Sequence, residues 1–405
     1  VPARLIALLA ALLVSFGGIA ATSNPITIQI VDEDEGGEPS WFASMADKTW
    51  AQPIGNSIDD VKPVPTPGGN AGHAGVVSAY SGGTPSADGV YIFGGGHHDY
   101  GGNEVYLINI NTLEVERLSE PSTISEGSPA TETAYADGQM RVPHSYGYVG
   151  VANGYLWSLS QSAPYSQEGY STNTYHNVWR WPISSKGPWE FVGTLPGSTG
   201  SQAFGIGAAW CESRGLFYVL SQYGEIWTVN PSNGNRSLVG TDYSPGAENG
   251  SIYGSVTCID QADALVLYTE EGTIQRINLD SLGSGWSAIT VTGTFGITDA
   301  GPLFQWDPVS KKILAWGHST NRTYLYTLAP PTADPQSYSD LNGTWTATAV
   351  TPDGSNSVTP SIPSNIGIFQ RGGLVPVGDT GRYVWIVLNS TTEDPYVYKI
   401  PASGL

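Results

Sequence analysis

Positive charge is scarce in this sequence, and so is cysteine. Sixteen Lys and Arg stand against 36 Asp and Glu in 405 residues, a formal net charge of −20. A field of that sign repels a phosphate backbone, which excludes nucleic acid as a partner. Charged residues of both signs make up only 13%, too few for a coiled coil or a solvated helical array. Two cysteines cannot build a disulfide framework. Nucleotide fingerprints and nucleophile elbows are missing: the run GGGHHDYGG leads into a strand pattern, not into a helix with Lys-Ser/Thr. What is abundant is 51 Gly and 28 Pro beside 40% hydrophobic and 11% aromatic residues. Aromatic content of that order excludes disorder. Many turns with many Tyr, Trp, Val and Ile indicate an all-β protein.

The longest apolar run is Leu5 to Ala21, 17 residues after Arg4. It is short for a membrane span, and small residues at Gly18, Ala20 and Ala21 suit cleavage. Residues 1–23 are therefore read as a signal peptide or a retained hydrophobic anchor. The expected location is secreted or cell-surface, with a virion as the alternative. An assembly partner is expected if the segment is kept, and no membrane span if it is removed. Residues 24–45, with Asp32 to Glu35 and Glu38, read as an acidic linker.

From about residue 70 one plan of four short strands repeats. Its clearest form is a pair of strands joined by a polar turn, in AAWCESRGLFYVLSQ (208–222), SVTCIDQADALVLYTE (255–270) and LFQWDPVSKKILAWGH (303–318). A third strand follows each pair, as in EVYLINI, NVWRWPI and YVYKIPA. Trp189, Trp286 and Trp345 each open a fourth. The sixth unit runs out of chain at Leu405, while Trp50, far upstream, has the form of its missing fourth strand. The expectation is a six-bladed β-propeller over 46–405, closed by an N-terminal strand near 49–54. Seven blades are the alternative if ITIQI or the 328–345 loop hides strands. In this alignment Cys258 matches Trp210, so Cys211 lies one residue out of phase with it. Two buried, unbonded cysteines are then favoured over a disulfide.

The start of an inner strand and the end of the second strand share one face of a propeller. His73, His97, His98, His144 and His318 occupy such places, and the loop of His176 is assigned there too. Tyr100, Arg141, Tyr146, Tyr165, Arg180, Trp316 and Arg371 sit at corresponding strand ends. Arginines among His and Tyr suit a carboxylated sugar: cations pair with the carboxylate, and rings cover apolar sugar faces. Paired-carboxylate hydrolysis is less favoured, with only Asp99, Glu104, Glu270 and Glu271 near that rim. No cofactor is expected. Zinc on His97-His98-Asp99 with His73 or His144 is the weaker reading, because adjacent histidines rarely reach one ion together.

GVYIFGGGHHDYGGNEVYLININTLEVERL (89–118) resembles the first blade of the secreted, kelch-like bacterial propellers that include ulvan lyases and related polysaccharide lyases. The motif-level resemblance covers mainly 70–160. It implies a catalytic site with His73 at an inner-strand start, His97 after the following strand, and Tyr146 as base or acid. The family's arginine at the end of the next blade's second strand is replaced here by Ser160-Gln161. The implied reaction is β-elimination on a uronate polysaccharide. Arg141 and His73 would neutralise the carboxylate, Tyr146 or His97 would move protons, and His144 would stand beside them. His98, Tyr100, Tyr165, Arg180, Trp316, His318 and Arg371 would bind substrate. The alternative is a non-catalytic glycan- or protein-binding propeller, such as a virion or cell-surface recognition protein.

Overall fold

The computed structural model describes residues 37–405 apart from 54, 124–132, 162–163, 166–175, 198–204, 223, 242–252, 318–320 and 364–366. The expected signal or anchor, ITIQI and most of the acidic linker lie outside the described residues. Among the described residues, no helix is long and apolar enough to cross a membrane.

Six antiparallel sheets form a ring of blades, with their inner strands side by side around a channel. Those inner strands are Gly82–Ser86, Val149–Ala152, Gly207–Cys211, Gly254–Ile259, Leu303–Asp307 and Gly372–Val377. The third strands fall where the repeats place them, from Tyr106–Asn109 to Tyr396–Lys399. The 328–345 stretch adds a short 3-10 helix, Tyr338–Leu341, and no seventh blade. Two details differ from the repeat reading. Gly75–Ser78 is a helical turn, so the first inner strand begins only at Gly82. After Ser287–Ala288 closes blade four, Thr290–Gly293 crosses over and pairs in parallel with Thr344–Val350 of blade five.

Blades pack face to face, so most strands are buried on both sides and read as continuous apolar runs. In Ala264–Thr269 of blade four, Leu265 and Leu267 join the cluster shared with blade three. Ala264, Val266 and Tyr268 join the one shared with blade five. Each fully buried Leu or Val contributes about 1.5–3 kcal/mol relative to exposure.

The same geometry overturns the expectation for the cysteines. Cys211 and Cys258 are disulfide-bonded, with their Cα atoms 5.6 Å apart. Opposite pleat phase would separate two side chains within one sheet. Between neighbouring blades it does the reverse, since one face of blade three meets the opposite face of blade four. Both cysteines accordingly lie in the one cluster between those blades.

The ring closes as the repeat count demands. Trp50–Ala51 pairs antiparallel with Tyr396–Lys399, Trp50 opposite Tyr398. The Trp50 ring is buried against Tyr398 and Trp316, and its N–H donates to Thr323 O at 2.9 Å. Part of the expected linker also packs. Ser40–Ser44 is a short helix with Phe42 buried, and Lys399 Nζ donates to the carbonyls of Phe42 and Met45.

Two stability measurements check this closure. Trp50→Ala should cost about 3–5 kcal/mol in guanidinium unfolding. The Cys211→Ala/Cys258→Ala pair should cost about 2–4 kcal/mol, because the bond closes a loop of 47 residues. Reductant should lower the wild-type midpoint toward that of the double variant and leave the variant unmoved.

Candidate functional site

A cavity of about 380 Å³ opens at the channel mouth formed by inner-strand starts and second-strand ends. It is lined by Asn70, Tyr80, His97, His98, Asp99, His144, Tyr146 and Tyr253. Blade one supplies the histidine loop. After Phe93 the chain runs through Gly94 and Gly95, where an added Cβ would stand 2.4 Å from Ser81 Oγ and 2.6 Å from Tyr100 O. Only glycine permits that approach. His97 then takes a left-handed conformation (φ +45°), and the loop folds back as Asp99 N donates to Gly96 O. The 69–71 segment clamps it, with Asn70 N bonded to His98 O and Ala71 N to Asp99 O.

Blade two supplies His144 and Tyr146 just before its inner strand. Ser145 fixes this turn by donating to Phe93 O and accepting from Gly82 N, both at 2.7 Å. His144 is buried, with Nε2 3.2 Å from Asp99 Oδ2 and Nδ1 3.5 Å from the Tyr146 hydroxyl. A carboxylate facing Nε2 assigns the proton to that nitrogen, leaving Nδ1 to accept from Tyr146. The rings of His97 and His144 lie 4.2 Å apart. Burial, then the neighbouring His144, lowers the His97 pKa to about 4 against the opposing pull of Asp99. Burial also lowers His144. Both imidazoles are therefore neutral near pH 7. Tyr146 is raised well above its ordinary value, by burial first and then by Tyr253 and Tyr80. It is a proton donor at neutral pH, not a ready base.

Beneath these groups four rings meet across the channel: Tyr80, Tyr146, Tyr253 and Phe369, with centroids 5.2–6.2 Å apart. They come from the inner-strand starts of blades one, two, four and six. Tyr80, Tyr146 and Phe369 all have positive φ, +52°, +41° and +45°. Bulky residues rarely adopt that conformation, at roughly 1–3 kcal/mol each. It turns their rings inward to plug the axis.

Of the residues singled out in the sequence, His97, His98, Asp99, His144 and Tyr146 come together here, and the other described ones do not line the cavity. His73 is buried with Nδ1 2.6 Å from Asp59 Oδ1 and Nε2 2.9 Å from the Tyr106 hydroxyl. Tyr100 is fully buried and donates to Glu104 at 2.5 Å. Arg141 does not line the cavity, and its carbonyl accepts from Gln161 Nε2. Tyr165 packs in a separate small cluster with Tyr135 and Val142. Arg180 pairs with Glu190 at 2.7 Å and lies over the Tyr155 ring, out on the third strand. Trp316 is a blade-packing residue whose indole donates to Arg322 O. Arg371 is fully buried at the seam between blades six and one, donating to Ser81 O and Gly367 O. Burial pulls its pKa down to about 9, so it stays charged. His176 packs on Trp227. His318 lies outside the described residues. Trp316, Arg371, Tyr100 and His73 share strand ends with the site, but their side chains are buried in the packing rather than lining the mouth.

At the place of the family arginine, Gln161 is fully buried. It donates to Thr133 O and Arg141 O and accepts from Asn177 and Trp179. That position holds blade two together. Asn70, Tyr80 and Tyr253 were missed. For the two tyrosines the signal was an aromatic residue one to three positions before a glycine near an inner-strand start: Tyr80-Ser81-Gly82, Tyr146-Gly147, Tyr253-Gly254 and Phe369-Gln370-Arg371-Gly372; Asn70 carries no such signal. Among the described residues, the side chains close enough to share a metal are Cys211, Cys258 and Asp260. There the two sulfurs are already bonded to each other.

No protein family matches the chain, and no curated protein is similar to it in sequence. Solved structures are similar at low identity. A Bacteroides thetaiotaomicron protein of unknown function is 11% identical with TM-score 0.36, over 82% of this chain and 93% of that one. The major Malassezia sympodialis allergen Mala s 1 is 10% identical with TM-score 0.45, over 82% and 94%. A chain of the mitotic checkpoint complex is 13% identical with TM-score 0.38, over 80% and 92%. What defines this protein is its own architecture: a six-bladed β-propeller with a plugged channel and a histidine–tyrosine cavity at one mouth.

The depressed His97 pKa has a signed consequence. The fold holds the neutral ring, so protonation opposes folding as pH falls from about 6.5 through about 4. NMR titration of the His97 ring should give a midpoint near 4. In His97→Asn the melting temperature should fall less steeply across that window than in wild type.

Proposed function

We propose that the protein is a glycan-recognition propeller whose histidine–tyrosine cavity holds a saccharide unit. The carrying observation is the lining: three tyrosines and three histidines with Asn70 and Asp99, and, among the described residues, no Lys or Arg. Aromatic rings cover the apolar faces of a pyranose, while imidazole, amide and carboxylate groups bond its hydroxyls. The volume suits one or two sugar units. Of the arginines expected to receive a uronate carboxylate, Arg180 and Arg371 are engaged elsewhere and Arg141 does not line the cavity, which favours a saccharide contacted through hydroxyls over one held by its charge. The Cys211–Cys258 disulfide supports an oxidising, extracytoplasmic location.

One observation favours a second, catalytic reading: the chain Asp99–His144–Tyr146. Asp99 orients the His144 imidazole beside Tyr146; in a β-elimination the neutral His97 could take the C5 proton while Tyr146 passes its own to the departing glycosidic oxygen, so that the C4–O bond breaks as the C4–C5 double bond forms. A test on three proteins separates the readings. Glycan binding by calorimetry against a panel of neutral and uronate saccharides should detect a ligand. Tyr253→Ala should weaken it by about tenfold, near the ~1 kcal/mol of a lost ring contact. Tyr146→Phe should leave binding within about tenfold. If the relay is catalytic, unsaturated uronate should accumulate with wild type, and Tyr146→Phe should slow this by about 10²–10⁴-fold. No saccharide binding by wild type would overturn the proposal. Binding without elimination would retire the catalytic reading alone.

A further inference from the structure

The aromatic plug divides the channel, and the larger space lies on its other side. A cavity of about 580 Å³ is lined by the inner strands of all six blades and by the turns that follow them. It opens where inner strands end, at the face opposite the histidine cavity. Its wall is aliphatic at Val149, Val151 and Val256, but its mouth is aromatic and acidic. Trp210 of blade three, Trp306 of blade five and Tyr383 of blade six stand half-buried there. Glu212 and Asp260 stand at the same rim, and among the described residues no Lys, Arg or His lines the cavity. Asp260 is held in place, its Oδ1 accepting from both N and Oγ of Ser213 at 3.0 Å. The indole N–H of Trp306 is shielded from solvent without an acceptor in the protein.

We propose that this second mouth binds an organic cation of the hydroxyalkyl-ammonium class. A cation is attracted to the faces of Trp and Tyr rings, most strongly where water is partly excluded. The two carboxylates add attraction of the same sign, and the −20 net charge of the chain concentrates cations near its surface. An anion would meet repulsion from every one of these terms. A hydroxyl on the ligand suits the neutral polar groups that Ser213, Gln261 and Gln305 add to the lining. The held carboxylate means little has to be ordered on binding. This site differs from the saccharide cavity in face, lining and charge preference, so it stands or falls independently.

Choline is the probe. Titration of the full chain, followed by tryptophan fluorescence and calorimetry, should show saturable binding. The neutral analogue of choline, with carbon in place of nitrogen, should bind at least about tenfold more weakly. Glu212→Gln/Asp260→Asn, isosteric and keeping an acceptor for Ser213, should weaken choline by about tenfold. Trp210→Ala should do at least as much. Added salt should weaken binding to wild type more than to the carboxylate variant. Circular dichroism and melting curves would show that each variant is folded. If the isostere binds as well as choline, the cavity is apolar and the proposal fails. It also fails if choline does not saturate, or if the carboxylate variant binds it unchanged.

Discussion

Every blade depends on a neighbour at each face, and that requirement forces the ring to close. A four-stranded sheet with both faces apolar cannot stand alone, because one bare face would expose a row of Val, Leu and Tyr. A line of six such sheets would still have two bare ends. Closure removes them, and the chain achieves it by donating Trp50–Ala51 to the sheet built from Gly372–Lys399. The N-terminal strand and the Lys399 contacts to the helix before it serve this join within blade six, and the buried Arg371 fastens the neighbouring seam to blade one. The disulfide between blades three and four reinforces the ring on another side. The Thr290–Gly293 crossover ties blades four and five at their outer edge.

Because closure and repetition are periodic, they were legible in the sequence. Strand pairs separated by polar turns recur with little change in spacing, and Trp50 stood out as a fourth strand without its own unit. The cysteines were misread because phase within one sheet was used for residues in two. Across a blade interface, the face that points away in one sheet is the face that points toward the next. The part of the linker around Phe42 was hidden by its acidic neighbours, although its single buried ring anchors it.

The site was half legible. Placement at a strand end is a backbone property, and the histidines at 97, 98 and 144 were found that way. Direction is a side-chain property set by local φ and by what each blade interface needs. His73, Tyr100, Trp316 and Arg371 occupy suitable backbone positions, yet each is buried with a partner in the packing, and Arg180 pairs with Glu190 out on the third strand. Tyr80 and Tyr253, which shape the mouth beside Tyr146, were overlooked, since they belong to no polar motif. Their mark is an aromatic residue ahead of glycine, repeated from unit to unit. Such a mark signals packing at the axis rather than chemistry. Here Tyr80, Tyr146 and Tyr253 also line the histidine cavity, and the left-handed backbone at Tyr80, Tyr146 and Phe369 turns those rings to the axis.

The meeting of four rings on the axis also sets a topological limit. The channel is a pair of blind cups set base to base, so nothing can be threaded from one face to the other. A long polymer reaching the histidine cup must enter by an end, a branch or a sharply bent loop, since a straight mid-chain segment has no exit. Traffic at one mouth also leaves the other free, so the two faces of the disc can hold unrelated ligands together.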